Sequence, residues 1–131
     1  MNNVLFQQAQ ASYNRGDFAS ALEAYTQCLQ SDGAVLAPGE AGQLYHKIGN
    51  CLVKLHDFEE AIHAYTQAAA DKDYHQDGAV QANLGNSYAA LYDYESAIKH
   101  FELSLADETY ETPYKAYSGM GKAYLKLGKT A

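Results

Sequence analysis

The sequence predicts an all-α chain built as a tandem array of helix–turn–helix repeats, and three observations carry that prediction. Three segments align with one another without gaps: GDFASALEAYTQCL from Gly16, HDFEEAIHAYTQAA from His56 and YDYESAIKHFELSL from Tyr92. In each, an Asp precedes an aromatic, an Ala follows, and a second aromatic comes four residues later: Asp17, Phe18, Ala21, Tyr25; Asp57, Phe58, Ala61, Tyr65; Asp93, Tyr94, Ala97, Phe101. A second pattern repeats in step with the first. YHKIGNCL from Tyr45, QANLGNSY from Gln81 and YSGMGKAY from Tyr117 place Gly49, Gly85 and Gly121 at intervals of 36 residues. Self-similarity at such a period marks a repeat architecture.

Each unit reads as two helices. The first helices run over about Asn2–Asn14, Gly42–Lys54, Gly78–Ala90 and Pro113–Leu127; the first of these has the weakest pattern, with Leu5, Gln8, Ala9 and Ser12. The second helices follow Asp17, Asp57 and Asp93. Their apolar residues recur at helical spacing, as in Phe58, Ala61, Ile62, Tyr65 and Ala69. The Asp before each is a good N-cap, and Asp57 with Glu60 makes a capping-box pattern. Thr112-Pro113 predicts an N-cap followed by Pro at the first helical position. A mid-helix glycine costs about 1 kcal/mol relative to alanine, so Gly49, Gly85 and Gly121 need a reason. Close approach of another helix is the usual one, with Ala21, Ala61 and Ala97 thinning the facing side and aromatics such as Tyr65 and Phe101 filling gaps.

Composition narrows the function. The chain has 131 residues, 47% of them apolar, with 12 Tyr, two Pro and no Trp, which suits one domain with a core. A formal charge of −7 argues against a nucleic-acid partner, because phosphate binding needs a clustered basic surface. Cys28 and Cys51 lie in separate helices without CxxC spacing and read as small core residues in a reducing compartment. The start carries no signal-peptide pattern, and no apolar run approaches the roughly 20 residues of a membrane span; the expected location is cytoplasmic, with no membrane partner.

Catalytic and metal chemistry find little support. His46, His56, His63, His75 and His100 show no paired-ligand spacing on one helix face. Asp71, Asp73, His75, Asp77 and Gly78 resemble a calcium loop only briefly, because His75 replaces an oxygen ligand and Leu84 stands where the bidentate Glu belongs. No nucleophile elbow or phosphate-binding loop is present. The expectation is a non-enzyme without cofactor or metal.

The quoted positions closely resemble the tetratricopeptide repeat, whose signature is W-x2-L-G-x2-Y, then A-x3-F, then P. The second unit matches through Tyr45, Ile48, Gly49, Leu52, Ala61 and Tyr65. The third runs Gln81, Leu84, Gly85, Tyr88, Ala97 and Phe101, and the fourth begins with Tyr117, Met120, Gly121 and Tyr124. The resemblance spans nearly the whole chain as a single array of about three and a half repeats, at 2–35, 42–75, 78–111 and a half repeat 113–131. It departs at the terminal Pro, replaced by Gly33, Asp73 and Thr109, and in unit length, notably at SDGAVLAPGE from Ser31.

The resemblance implies a right-handed α-solenoid of about seven helices, whose first helices line a concave groove that takes extended peptides or helices. Three inward columns follow: Gln10, Asn50, Asn86, Lys122; Phe6, His46, Ala82, Ser118; and Asn14, Lys54, Ala90, Lys126. The candidate groove residues are Phe6, Gln10, His46, Asn50, Lys54, Asn86, Lys122 and Lys126. Asn and Gln can both donate to and accept from a peptide backbone, although an Asn after the helix glycine is also ordinary repeat sequence. The 16 carboxylates are expected in second helices, turns or linkers, while the first helices hold Lys47, Lys54, Lys115, Lys122 and Lys126. Solvated surface lysines would look the same, but a neutral-to-basic groove in an acidic protein would steer an acidic protein or peptide segment. The family's clamp for a C-terminal carboxylate uses Lys and Asn at the positions of Phe6 and Gln10, so the clamp does not carry over.

Two alternatives stand beside this reading. Tyr117, Met120, Tyr124 and Leu127 would face a second helix that the sequence does not continue into, which suggests self-association through the C-terminal helix. The array could also be the regulatory repeat region of a longer protein.

Overall fold

The computed structural model describes residues 1–30 and 35–128, and among them it contains seven α-helices and no strand. These are α1 (Asn3–Asn14), α2 (Phe18–Gln30), α3 (Glu40–Lys54), α4 (Phe58–Ala70), α5 (Asp77–Ala90), α6 (Tyr94–Leu105) and α7 (Pro113–Lys126). The all-α helical-repeat architecture is the one the sequence predicts. Contacts gather into two compact units, Met1–His75 and Gln76–Ala131. The first holds hairpins α1/α2 and α3/α4; the second holds hairpin α5/α6 and α7. Part of the long connection from Ser31 lies outside the described residues.

One turn closes all three hairpins. The amide of Asp17, Asp57 or Asp93 donates to the carbonyl five residues back, on Ser12, Leu52 or Tyr88, at 2.8–3.0 Å. The amide before it donates three residues back, from Gly16 to Tyr13, His56 to Val53 and Tyr92 to Ala89. Paired bonds of this kind need a left-handed residue after the helix. Gly16 supplies it at φ 84°, while His56 (61°) and Tyr92 (65°) adopt it despite their side chains.

Helix starts differ from expectation in ways the helix dipole explains. α3 begins at Glu40 and α5 at Asp77, so each first turn gains a carboxylate where the N-terminal end of a helix favours negative charge. Asp17 and Asp93 cap α2 and α6 by accepting from the amides of Ser20 (3.2 Å) and Ser96 (3.1 Å). Asp57 occupies the N-cap of α4 without a side-chain cap bond, so the predicted capping box does not form. Thr112 stands at the N-cap of α7 before Pro113, also without such a bond.

The packing answers the glycine question unevenly. Ala21, Ala61 and Ala97 are fully buried. A Cβ on Gly49 would stand 2.5 Å from the Tyr65 ring, and one on Gly85 would stand 2.7 Å from the Phe101 ring. Bare backbone at these positions therefore makes room for the aromatic of the following helix. Gly121 is different, because a Cβ there would meet nothing within 4 Å. In α7 it is Gly119 that closes on the Phe101 ring. Phe101, 1% exposed, is thus wedged between the backbones of α5 and α7, with Ala97 and Ala116 completing its core. Cys28 and Cys51 are free and buried, as small core residues are.

A further device ties the loops after α4 and α6 to the starts of their own repeats. Asp71 accepts from the Gly42 amide at 2.7 Å through one carboxylate oxygen and from the Asp73 amide at 3.1 Å through the other. Asp107 does the same with the amides of Gly78 (2.8 Å) and Thr109 (3.0 Å). Tyr74 and Tyr110 then lie against Gly42 and Gly78. A carboxylate at a helix N-terminus satisfies orphan amides and complements the dipole.

Candidate functional site

The first unit contains a cleft of about 260 Å³ lined by Gln10, Tyr13 and Asn14 of α1, Tyr25 of α2, and Lys47 and Asn50 of α3. Gln10 and Asn50 belong to the predicted groove set, and Asn14 to one of its columns. The α1 residues fall at i, i+3 and i+4, as do Lys47 and Asn50 at i and i+3, so each helix turns one face to the cleft. Tyr25 forms its floor from the following helix. Tyr13, Tyr25 and Lys47 were outside the eight candidate residues, although Lys47 stood among the lysines expected on the first helices. The spacing of Lys47 from Asn50 already places them on one face, whereas Tyr25 reads from sequence only as core.

The lining has a definite polarity. The Tyr65 hydroxyl donates to Oδ1 of Asn50 at 2.7 Å, which commits that oxygen and presents the amide NH₂ as the donor. Burial, with Cys51 nearby, pushes the Tyr25 phenol up to about 12, and burial likewise raises Tyr13. Both hydroxyls are neutral at ordinary pH. The six lining residues include no carboxylate, and the ammonium of Lys47 supplies the charge.

Other predicted residues have different surroundings. Phe6 packs edge-on against Tyr25 at 5.6 Å, and His46, its counterpart one repeat later, packs edge-on against Tyr65 at 5.9 Å. Both are half-buried. His46 Nδ1 also shares a hydrogen bond of 2.7 Å with the Tyr74 hydroxyl. Lys54 holds its Nζ 5.8 Å from the centre of the Phe18 ring, a cation–π contact at the end of the first hairpin. In the second unit Asn86, Lys122 and Lys126 are exposed on α5 and α7. Phe101 has no hydroxyl to reach Asn86 as Tyr65 reaches Asn50.

The state of His46 gives a pH dependence. Burial, helped by the Lys47 charge, lowers it from 6.5 to about 4, and burial also lowers His100. Between about 4 and 6.5 the unfolded chain takes up a proton that the folded His46 refuses. Stability therefore rises with pH across that window and is lost on acidification through it. Urea midpoints at pH 7 and pH 5 should differ in the native chain and differ less in His46→Gln; an identical slope in both would refute this assignment.

Sequence models of the tetratricopeptide repeat match residues 3–32 and 42–70. No curated protein sequence matches the chain. Among solved structures, MamA is similar with a TM-score of 0.81 and 19% identity, over 96% of this chain and 68% of that one. The first TPR of Spaghetti (RPAP3), bound to the HSP90 peptide SRMEEVD, gives 0.80 and 21%, over 96% and 92%. The second TPR domain of human RPAP3, in complex with the HSP70 peptide SGPTIEEVD, gives 0.73 and 22%, over 89% of each chain. At these identities the likeness concerns the fold. Repeat models match the first two hairpins, the third hairpin has the same turn and repeats the aromatic–glycine contact of the second, and the solved neighbours share the fold: residues 3–32 and 42–70 are tetratricopeptide repeats, within a chain that has the tetratricopeptide-repeat fold.

Proposed function

We propose that this chain is a non-catalytic interaction module whose first-helix face holds an extended, acidic segment of another protein. The observation that carries the reading is the cleft of the first unit, where amides, neutral phenols and the Lys47 ammonium gather without a carboxylate. Amide side chains suit a peptide backbone, and Lys47 with the NH₂ of Asn50 suits an Asp or Glu side chain. Its volume, near the lower end for ligand pockets, fits a short stretch of peptide. Two structural neighbours hold peptides, SRMEEVD and SGPTIEEVD, that are acidic toward one end, which supports the same ligand class here. Asn86, Lys122 and Lys126 present similar chemistry on the second unit.

The test is fluorescence anisotropy with an extended octapeptide of alternating Glu and Ala, acetylated and amidated so that only side-chain carboxylates are offered. Lys47→Glu combined with Asn50→Ala should weaken binding by at least about tenfold. Binding should also weaken with salt. Affinity unchanged in that double variant would remove the cleft from the binding site. A Lys–Ala peptide bound equally well would remove the acidic preference.

A further inference from the structure

We propose that Tyr65 makes the cleft of the first unit select a carboxylate over an uncharged amide side chain, by fixing which end of Asn50 faces the ligand. The role rests on the peptide reading of that cleft and adds a specificity-determining residue to it. Tyr65 is not among the residues that line the cleft. It acts from behind, through Asn50, as a positioning residue.

An asparagine amide has an acceptor at one end and donors at the other, so a half turn about its last bond inverts what it offers. Left to itself, it settles in whichever orientation a ligand requires. Asn50 is held, because its Oδ1 accepts from the Tyr65 hydroxyl at 2.7 Å. That hydroxyl cannot follow a turning amide. The Tyr65 ring is 2% exposed and lies so close to α3 that a Cβ on Gly49 would stand 2.5 Å from it. The His46 ring meets it edge-on at 5.9 Å. Burial also raises the Tyr65 phenol above its ordinary range, so it keeps the proton it donates. Turning the amide round would take the acceptor from this buried hydroxyl, which is unfavourable for a group shut off from water.

With Oδ1 committed, α3 shows the cleft only donors, the NH₂ of Asn50 and the ammonium of Lys47 one turn earlier. A Glu side chain accepts from both, whereas a Gln side chain brings an NH₂ of its own that finds no acceptor on this face. The chain contains its own contrast. Asn86 follows Gly85 as Asn50 follows Gly49, but the ring over Gly85 is Phe101, which has no hydroxyl.

The test is fluorescence anisotropy of the native chain and of Tyr65→Phe with two capped octapeptides, one alternating Glu and Ala, the other Gln and Ala. Phenylalanine keeps the ring over Gly49 and removes the hydroxyl alone, and a thermal melt close to that of the native chain checks this. The native chain should prefer the Glu peptide. Tyr65→Phe should reduce that preference at least about fivefold, chiefly by weakening the Glu peptide, while Lys47 maintains the remainder. A second measurement needs no ligand. The heteronuclear NOE of the Asn50 side-chain nitrogen should report an ordered amide in the native chain and a mobile one in Tyr65→Phe. A loss of affinity shared equally by both peptides, or an amide equally ordered in both chains, would overturn the role of Tyr65 and leave the cleft standing. A Glu peptide indifferent to Lys47→Glu with Asn50→Ala would instead remove the cleft and the selection by Tyr65 together.

Discussion

Phe101→Ala should cost about 3–5 kcal/mol of stability, the range for removing a large buried aromatic. The ring is 1% exposed and touches both Gly85 and Gly119, so it fills the space between α5 and α7 and not merely one side of a core. Its removal leaves a cavity walled partly by backbone, which cannot collapse as side chains can. Against a total stability of about 5–15 kcal/mol for a typical domain, such a loss would leave α5–α7 marginal. Urea unfolding followed by circular dichroism should show a much earlier transition for this unit. A cost below about 1 kcal/mol would contradict the wedge and imply that α5 and α7 close the gap themselves.

The glycine series carries the second large effect, and its sign changes along the chain. Gly49→Ala and Gly85→Ala each gain about 1 kcal/mol of helix propensity but press a methyl into an aromatic ring. Neither ring can easily yield: Tyr65 is tethered through its hydroxyl to Asn50, and Phe101 is held from its far side by Gly119. Overpacking of this kind costs about 1–3 kcal/mol, so both variants should melt lower than the native chain. Gly121→Ala meets nothing and should melt higher, by the propensity gain alone. Parallel thermal melts decide the matter, and three shifts of the same sign would refute the packing account.

That series also separates what could be read early from what could not. The hairpins, their Asp-aromatic openings and the alanine–aromatic pairs are local features that recur at fixed spacing, so periodicity alone exposes them. The shared turn was only half visible: Gly16 advertises a left-handed residue, but His56 and Tyr92 adopt that conformation because the backbone bonds around them require it. Asp71 and Asp107 were not visible at all as ties, since each reaches an amide 29 residues away. In the candidate cleft, Gln10, Asn14 and Asn50 were legible from helix faces. Tyr25 and the orientation of the Asn50 amide depend on the neighbouring helix.

The sequence by itself determined an all-α helical-repeat chain, the bounds of its four first helices to within two residues, the starts of the second helices after Asp17, Asp57 and Asp93, and a lysine-bearing set of first helices. Tertiary structure decided which equivalent residues remain equivalent. Gly49, Gly85 and Gly121 share one register, yet two are covered by rings and one is open. Phe6 and His46 stand in a single predicted column of the groove, yet each is half-buried against the tyrosine of its own repeat. The physical reason is that periodicity specifies what a residue is and which side of its helix it occupies, whereas burial, contact and ionisation depend on what the next helix brings against that side.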